Sequence, residues 1–412
     1  MTSEQSELQA DPVSTVPPRS LLLWAPRTLS PAASAHLDLV RTLAAWAVMW
    51  GHLRTLFFVD FQHLPRAGRL LGAIYFFTGF GHQAVMVFFV LSGFLISATI
   101  IKSCISGTWS WRKYLINRST RLYAVLIPGL LLGSLWDIAG SSLFASTGVY
   151  THAVSDLGPA IAVNNLSVGY FFGNLLFLQT IICPPFGSNA PLWSLANEFW
   201  YYVLFPAGLS AGLALGRKAM RVAIPLSALV ICLAAFLGLD KLIGFLIWMC
   251  GCGLVFTYSE FQLRGKGQVF FYLLTSSLIL CGSLIAARTT IGALLGSDLS
   301  VGIAFTLFLF GVLQLEVGAG SSHYLGAAHR FAGFSYSLYV LHFPLLLFLR
   351  AWIVPPQRWQ PDGLHLLYGS LIGALVLGFT WTVALFTENK TRAVRNWVKH
   401  MVPAEGMKAV SP

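Results

Sequence analysis

An apolar segment near the N-terminus, residues 36–53, begins at His36 and carries three further ionisable side chains that could take part in chemistry. They belong to Asp38, Arg41 and His52, and the residues between them are mainly Leu, Val, Ala, Met and Trp. On a helix, Arg41 and His52 would lie within roughly 20° of each other and about 16 Å apart along the axis. Ionisable groups in such a helix are costly and indicate a functional site, in which an imidazole can act as a general base. The alternative is that His52 only bonds a neighbouring helix.

A pair of arginines, Arg118 and Arg121, stands just before another apolar segment. Residues three apart share one face of a helix, and planar guanidinium groups suit bidentate binding of phosphates. The pair is therefore a candidate phosphate site, although anchoring at a membrane interface would also explain it. In the first segment, Asp38 could hold Arg41 in place through a salt bridge.

The run FFVLSGF places Ser92 and Gly93 inside an apolar segment. A Ser-Gly pair in a membrane helix allows either a close approach of helices or local unwinding. The Gly-x-Ser-x-Gly pattern of a serine nucleophile does not surround Ser92, so catalysis by its hydroxyl is not favoured.

Two further runs, WSLANEFWYY and SYSLYVLHFP, also combine polar groups with apolar residues. In the first, Glu198 could orient a hydroxyl substrate, pair with an arginine or raise the basicity of a histidine. Interfacial anchoring by Trp193 and its aromatic neighbours is the alternative. In the second, Ser335, Tyr339 and His342 follow one stripe, which in a membrane helix normally faces the bundle interior. Bonding between helices explains His342 as well as catalysis does.

The composition is that of a membrane protein, because 56% of the 412 residues are hydrophobic and only 10% are charged. In soluble domains, about a quarter of the residues are charged. Ten apolar segments of about 20 residues predict an all-α, polytopic transmembrane bundle of about ten helices. A stripe formed by Gly208, Gly212 and Gly216 predicts close helix packing. The predicted spans are 37–57, 82–101, 122–140, 193–215, 221–239, 241–258, 269–287, 299–316, 331–353 and 364–387, with shorter interfacial or re-entrant pieces at 70–80 and 169–182.

Basic residues are distributed unevenly between the two sides of the predicted bundle. Alternate loops and both tails hold 18 of the 26 Lys and Arg residues, the opposite loops hold 7, and Arg41 lies in the first span. The positive-inside rule therefore places both termini in the cytoplasm, and it accounts for the net charge of +11 without nucleic-acid binding. We predict a disordered cytoplasmic tail (residues 1–35), a membrane domain (36–388) and a basic cytoplasmic tail (389–412). No spacing of the six cysteines and the histidines indicates a metal site.

Taken in chain order, Arg41-x10-His52, Arg118-x-x-Arg121 and the three runs above resemble the acyltransferase 3 family of integral-membrane acyltransferases. The resemblance implies a bundle of about ten helices in a bacterial inner membrane. It also implies transfer of an acyl group, often acetyl, from cytoplasmic acyl-CoA to a hydroxyl of an extracytoplasmic glycan or lipid-linked glycan. Acyl-CoA would then be a substrate, and no bound cofactor is expected.

The resemblance further implies roles for single residues. His52 would be the essential catalytic residue, as a general base or as a transient acyl carrier, with Glu198 as a second catalytic candidate. Arg41, Arg118 and Arg121 would bind the donor. The supporting positions are Asp38, Ser92, Trp193, Tyr336 and His342.

A transporter or flippase with the same buried polar residues is the competing class. It would neither consume acyl-CoA nor leave an ester on an acceptor. The sequence does not identify the acyl group, the acceptor or the oligomeric state.

Overall fold

The structure is a computed structural model that describes residues 25–64, 68–150, 165–289, 296–316, 322–354 and 357–401. Within these residues the regular secondary structure is helical apart from two isolated β-bridges, so the predicted all-α class is confirmed. The helices are α1 (Pro31–Phe57), α2 (Arg69–Phe77), α3 (Gly81–Ile105), α4 (Trp111–Leu143), α5 (Val168–Leu175), α6 (Trp193–Gly216), α7 (Met220–Leu237), α8 (Leu239–Glu260), α9 (Gly265–Ala286), α10 (Asp298–Leu313), α11 (Ser322–Ala332), α12 (Ser335–Ile353), α13 (Gly363–Phe386) and α14 (Thr391–Met401).

Nine of the ten predicted spans each correspond to one helix, and the span at 331–353 falls on two. Among the described residues, eight helical segments are long and apolar enough to cross a membrane. The remaining two spans are α1, which carries Asp38, Arg41, His52 and Arg54, and α10, which has only 16 residues. Both helices pack against α3, so each belongs to the same bundle as the eight longer apolar segments.

Helix α1 occupies the middle of the bundle, in contact with α3, α10, α11, α12 and α13. It begins where the Ser30 hydroxyl accepts a hydrogen bond from the Ala33 N–H, with Pro31 in the first helical position. This cap satisfies one of the free donors of the first turn. We call the end of the bundle at which α1 begins the proximal end, and the end at which it finishes the distal end.

Several element boundaries differ from the predicted ones. The span predicted at 331–353 is two helices, α11 and α12, separated at Gly333 and Phe334. Helix α1 already begins at Pro31, so the last five residues of the predicted disordered tail are helical, and residues 1–24 lie outside the described part. The predicted basic tail contains α14, and the described part ends at Met401. The short pieces at 70–80 and 169–182 correspond to α2 and α5.

The close helix contact of the bundle lies at Gly93 and Gly251, where α3 crosses α8. A Cβ atom on Gly93 would collide with the Trp248 carbonyl, and one on Gly251 would collide with the backbone of α3. The Ser-Gly pair therefore marks a close approach within a continuous helix, not an unwound segment. The close packing predicted at Gly208, Gly212 and Gly216 is wrong for this chain, since no described atom lies within 4 Å of a Cβ built there.

Candidate active site

A proximal cavity of about 110 Å³ lies between α1, α3, α4, α6 and α12. Its walls bring together all three arginines that the sequence suggested for donor binding, together with Glu198, Ser92 and Tyr336. These arginines therefore line one cavity, and Arg121 is also exposed at the surface of the bundle. The polar lining residues are Arg41, Ser92, Arg118, Arg121, Ser194, Glu198, Tyr202, Ser335, Tyr336 and Tyr339.

Arg118 is held by aromatic rings and not by a carboxylate. Its Cζ atom lies 5.7 Å from the ring centre of Tyr114 and 6.0 Å from that of Tyr202. Within the described residues, the buried Nε of Arg118 has no hydrogen-bond partner, and neither Arg118 nor Arg121 has a carboxylate at ion-pair distance. A buried donor without a partner is costly. An anion in the cavity would supply the missing acceptor.

Glu198 is fixed by a chain of hydrogen bonds across the cavity floor. The Tyr202 hydroxyl donates to Glu198 Oε1 at 2.5 Å, and the Ser92 hydroxyl donates to the Tyr202 oxygen at 3.4 Å. Trp248 Nε1 in turn donates to Ser92 Oγ at 3.2 Å. Ser92 is therefore a buried link between α6 and α8, and its hydroxyl is already engaged.

The predicted ion pair between Asp38 and Arg41 is present, with 3.4 Å between Oδ1 and Nη1. The other oxygen of Asp38 lies 3.3 Å from Nδ1 of His329 on α11. Only about a fifth of either side chain of the Asp38–Arg41 pair is exposed. Asp38 therefore restrains the guanidinium of Arg41 at the edge of the cavity.

Helix α12 is anchored at both sides of the proximal cavity. Its Tyr336 hydroxyl donates to the Leu122 carbonyl of α4 at 3.2 Å. Its first turn is capped by Glu388, which accepts hydrogen bonds from the Ser337 N–H and hydroxyl at 2.9 and 3.0 Å. A carboxylate is favourable at a helix N-terminus. These contacts fix the register of the helix that also carries Tyr339 and His342.

A second, distal cavity of about 150 Å³ contains the predicted base, His52. It is formed by α1, α3, α12, the first residue of α6 and the segment that precedes α6. The structure thus places His52 and Glu198, the two catalytic candidates, in different cavities. The lining residues are Val48, His52, Gly81, His82, Val85, Ala190, Pro191, Trp193 and Tyr339.

His52 and His342 are joined by a direct hydrogen bond between their rings. Nδ1 of His52 lies 2.8 Å from Nε2 of His342, although the two residues are 290 positions apart in the chain. The ring planes differ by 17° and the centroids are 5.1 Å apart, so the rings meet edge to edge, as a hydrogen bond between ring nitrogens requires. The bond between helices that was raised as an alternative for either residue is therefore present, and catalysis by His52 stays a prediction.

The surrounding acceptors define which nitrogen carries each proton. Nδ1 of His342 lies 2.9 Å from the carbonyl oxygens of both Leu338 and Tyr339, which can only accept, so this nitrogen is protonated. His342 is fully buried, which favours its neutral form, and Nε2 is then an acceptor. His52 must donate through Nδ1, which leaves a lone pair on its Nε2 beside the cavity.

Tyr339 is the residue that both cavities share. Its hydroxyl donates to the Pro191 carbonyl at 2.8 Å and lies 2.6 Å from Ser194 Oγ. At the start of α6, Trp193 borders the distal cavity and Ser194 the proximal one. Tyr339 and the first turn of α6 thus form the partition between the two spaces.

The segment before α6 is held in place by two buried contacts. Asp137 on α4 accepts hydrogen bonds from both the N–H and the hydroxyl of Ser188 at 2.7 Å. The Asn189 side chain donates to the Val340 carbonyl at 2.9 Å. These contacts position Ala190 and Pro191 against the distal cavity.

His82 is the cavity residue that sequence reasoning missed, because no spacing distinguished it from the other histidines. Its ring stacks on Trp193 with centroids 5.9 Å apart, and its Nε2 lies 2.9 Å from Asp298. Within the described residues, no group of three His, Cys, Asp or Glu residues is arranged to hold a metal ion.

Comparison with known proteins agrees with this architecture. Residues 34–386 match the sequence profile of acyltransferase 3, which is described as an acyltransferase domain. The chain belongs to the acyltransferase 3 family. Its matched region includes every helix from α1 to α13, and therefore both cavities. With eight segments long and apolar enough to cross a membrane, this acyltransferase 3 protein is an integral membrane protein.

One curated relative is similar to part of this acyltransferase 3 chain. It is the Bacillus subtilis (strain 168) protein named "Putative peptidoglycan O-acetyltransferase YrhL", with 27% identity over 161 residues. The similar region is 38% of this chain and 24% of the relative, so the match spans about a quarter of that protein's length. No solved structure shows a significant match.

Proposed function

We propose that this chain is a membrane O-acyltransferase, which moves an acetyl group from acetyl-CoA to a hydroxyl of a glycan or lipid-linked glycan. The observation that carries the proposal is the His52–His342 pair, which stands next to a cavity with three arginines in a bundle of the acyltransferase 3 family. The name of the Bacillus relative supports acetyl as the group and a glycan as the acceptor.

The donor binds in the proximal cavity, which opens toward the cytoplasm, where both termini lie. The uneven distribution of basic residues supports this orientation. Arg41, Arg118 and Arg121 bind the phosphate groups of CoA, and planar guanidinium groups suit that task. Glu198 shares this cavity and not that of His52, so it acts on the donor side, where it fixes the Tyr202 hydroxyl below Arg118.

His52 is the general base for the acceptor. Its Nε2 takes the proton of the acceptor hydroxyl while the hydroxyl oxygen attacks the thioester carbon. The carbon–sulfur bond then breaks, and the imidazolium returns the proton to the CoA thiolate. Through its Nδ1–H, the cationic His52 continues to donate a hydrogen bond to His342. The Nδ1–H of His342 in turn donates to the carbonyls of Leu338 and Tyr339. An acyl-His52 intermediate would use the same lone pair.

The thioester reaches His52 past the partition formed by Tyr339. The phosphates and the thioester of acyl-CoA lie at opposite ends of a long, flexible arm, which suits two cavities arranged along one helix. Arg41 and His52 are eleven residues apart on α1, which corresponds to about 16 Å. The Tyr339 side chain moves aside to admit the acyl group.

Mass spectrometry of surface glycans from a deletion strain tests this function. Restoring the wild-type gene is expected to restore an ester on a defined glycan, whereas the His52→Ala gene is not. The mass difference identifies the acyl group. Identical glycans in the deletion strain and its parent would contradict the proposal. Transfer of label from acetyl-CoA to glycan in membrane vesicles separates the transferase from a transporter, which consumes no donor.

A further inference from the structure

An ionisable side chain outside the His52–His342 pair, that of His82, borders the distal cavity, and it contacts Asp298. His82, the second residue of α3, lies 3.0 and 2.9 Å from the two carboxylate oxygens of Asp298, the first residue of α10. His82 lines the cavity in which His52 is found, and its side chain is 52% exposed, so it marks the mouth of that cavity. Asp298, 39% exposed, contacts His82 there from outside the cavity lining. The Trp193 ring stacks on His82 and lines the same space.

Stability does not explain this pair. An exposed ion pair contributes about 0–1 kcal/mol, because water screens its charges. The carboxylate of Asp298 also keeps at least half of its capacity as an acceptor, since one N–H uses at most two of about four lone-pair positions. The first turn of a helix favours its negative charge. The pair thus presents unused hydrogen-bond acceptors close to the base.

A similar pair elsewhere in the chain provides a contrast. His365 Nδ1 lies 2.8 Å from Asp362 Oδ2, but both residues belong to the start of α13 and are only three positions apart. Asp362 caps that helix by accepting the His365 N–H. This pair has a local structural role and borders neither cavity of the candidate site. The His82–Asp298 pair instead joins two helices across the cavity mouth.

A further contact joins the end of α9 to the residues just before α3. Arg288, which follows α9, donates a hydrogen bond to the Gly79 carbonyl at 3.2 Å. A Cβ atom on Gly79 would lie 2.6 Å from the Arg288 guanidinium, so a larger residue there would displace this side chain. Arg288 thus links the end of α9 to the residues that precede α3.

We propose that His82, Asp298 and Trp193 form the acceptor subsite, which binds a sugar ring through a second hydroxyl next to the one that is acylated. The carboxylate of Asp298 accepts a hydrogen bond from that second hydroxyl, and His82 orients the carboxylate. The indole of Trp193 packs against the apolar face of the sugar ring. This inference rests on the proposed transferase function. It adds a requirement that the acceptor presents two neighbouring hydroxyls.

The test uses membrane vesicles from the deletion strain, which contain its own glycans, supplied with radiolabelled acetyl-CoA. Label in the glycan fraction reports transfer, and label in free acetate reports attack by water. The variants are Asp298→Asn, His82→Ala and His82→Gln, with His365→Gln as the matched control. A hydrogen bond to a charged group corresponds to about one to two powers of ten in binding.

Asp298→Asn and His82→Ala are expected to lower label in glycan at least about tenfold, while total donor consumption falls much less. His82→Gln keeps an N–H for Asp298 and is expected to retain more transfer than His82→Ala. His365→Gln is expected to match wild type. A wild-type ratio of glycan label to acetate in Asp298→Asn, or an equal loss of both products, would overturn the subsite. Absence of both products from wild-type vesicles would instead refute the proposed function.

Discussion

The proximal and distal cavities are neighbours that share one residue, Tyr339, and differ in all their other polar groups. The proximal cavity contains three arginines and Glu198, whereas the distal one contains two histidines and Trp193. Consecutive residues of α6, Trp193 and Ser194, even face opposite sides. A permanent cation beside His52 would disfavour the imidazolium that forms when it accepts a proton. The comparison teaches that the arginines and the histidines lie in separate spaces divided by one tyrosine, as the proposed separation of phosphate binding from proton transfer requires.

The largest effect is expected from His52→Ala, because it removes the base from the distal cavity. Acyl transfer should fall by about a hundredfold to ten-thousandfold, measured as glycan label in vesicles with matched protein abundance. His52→Gln should not restore it, since an amide cannot take the proton. The KM for acetyl-CoA should stay near wild type if the donor binds in the other cavity. Near-normal acyl transfer by a well-folded His52→Ala protein would show that the distal cavity does not contain the general base.

The next effect concerns the partner of the base. His342→Phe removes the acceptor for the His52 N–H and should lower kcat by about a hundredfold, in line with the loss of a buried hydrogen bond and of the tautomer that it fixes. His342→Gln offers a carbonyl oxygen in the same region and should lose only about tenfold. The kcat values of His342→Phe and His342→Gln are compared from rates measured at saturating acetyl-CoA. Equal losses in both variants would mean that His342 does not act through its acceptor nitrogen.

Arginine variants sharpen the comparison from the proximal side. Arg118→Lys and Arg121→Lys keep the charge but lose the planar fork, so the KM for acetyl-CoA should rise about tenfold, or ~1.4 kcal/mol, with a smaller change in kcat. Arg112→Lys, in the first turn of the same helix and outside both cavities, is the matched control. An unchanged KM for acetyl-CoA in the double Arg118→Ala, Arg121→Ala variant would indicate that the two arginines anchor the helix at the membrane interface and do not bind the donor.

The last prediction changes no rate and tests which side each cavity faces. In a cysteine-free background, Ser142→Cys at the distal end of α4 should react with an impermeant maleimide in intact cells. Lys113→Cys, at the proximal end of the same helix, should react only after lysis. Arginines at the distal end do not conflict with this topology, because Arg54 and Arg358 both approach Asp60, at 3.9 and 2.8 Å. The reverse labelling pattern would place the arginine cavity outside.

Helical periodicity was sufficient to predict much of the bundle and part of the site. It placed Arg41 and His52 on one helix, and the stripe of α12 brought Tyr339 and His342 inward. It could not reveal that His52 meets His342, because a pairing across 290 residues depends on how α1 and α12 pack. The same limit hid the contact of His82 with Asp298.

Other errors have local physical causes. The glycine stripe of α6 shows where a helix is narrow but not which helix approaches it, and in this chain the close crossing uses Gly93 and Gly251 instead. The start of α1 was placed too late, although Ser30 and Pro31 are a recognisable cap. The predicted ninth span is interrupted at Gly333. The hydrophobic pattern continues across this residue, but the helix ends before it and a new one begins after it.

The long separation between the paired residues has a consequence for synthesis. The arginines of α1 and α4 leave the ribosome early, but the acceptor for the His52 N–H is supplied only by α12, near the end of the chain. A nascent or truncated chain that ends before α12 is therefore expected to hold donor-binding groups without an oriented base.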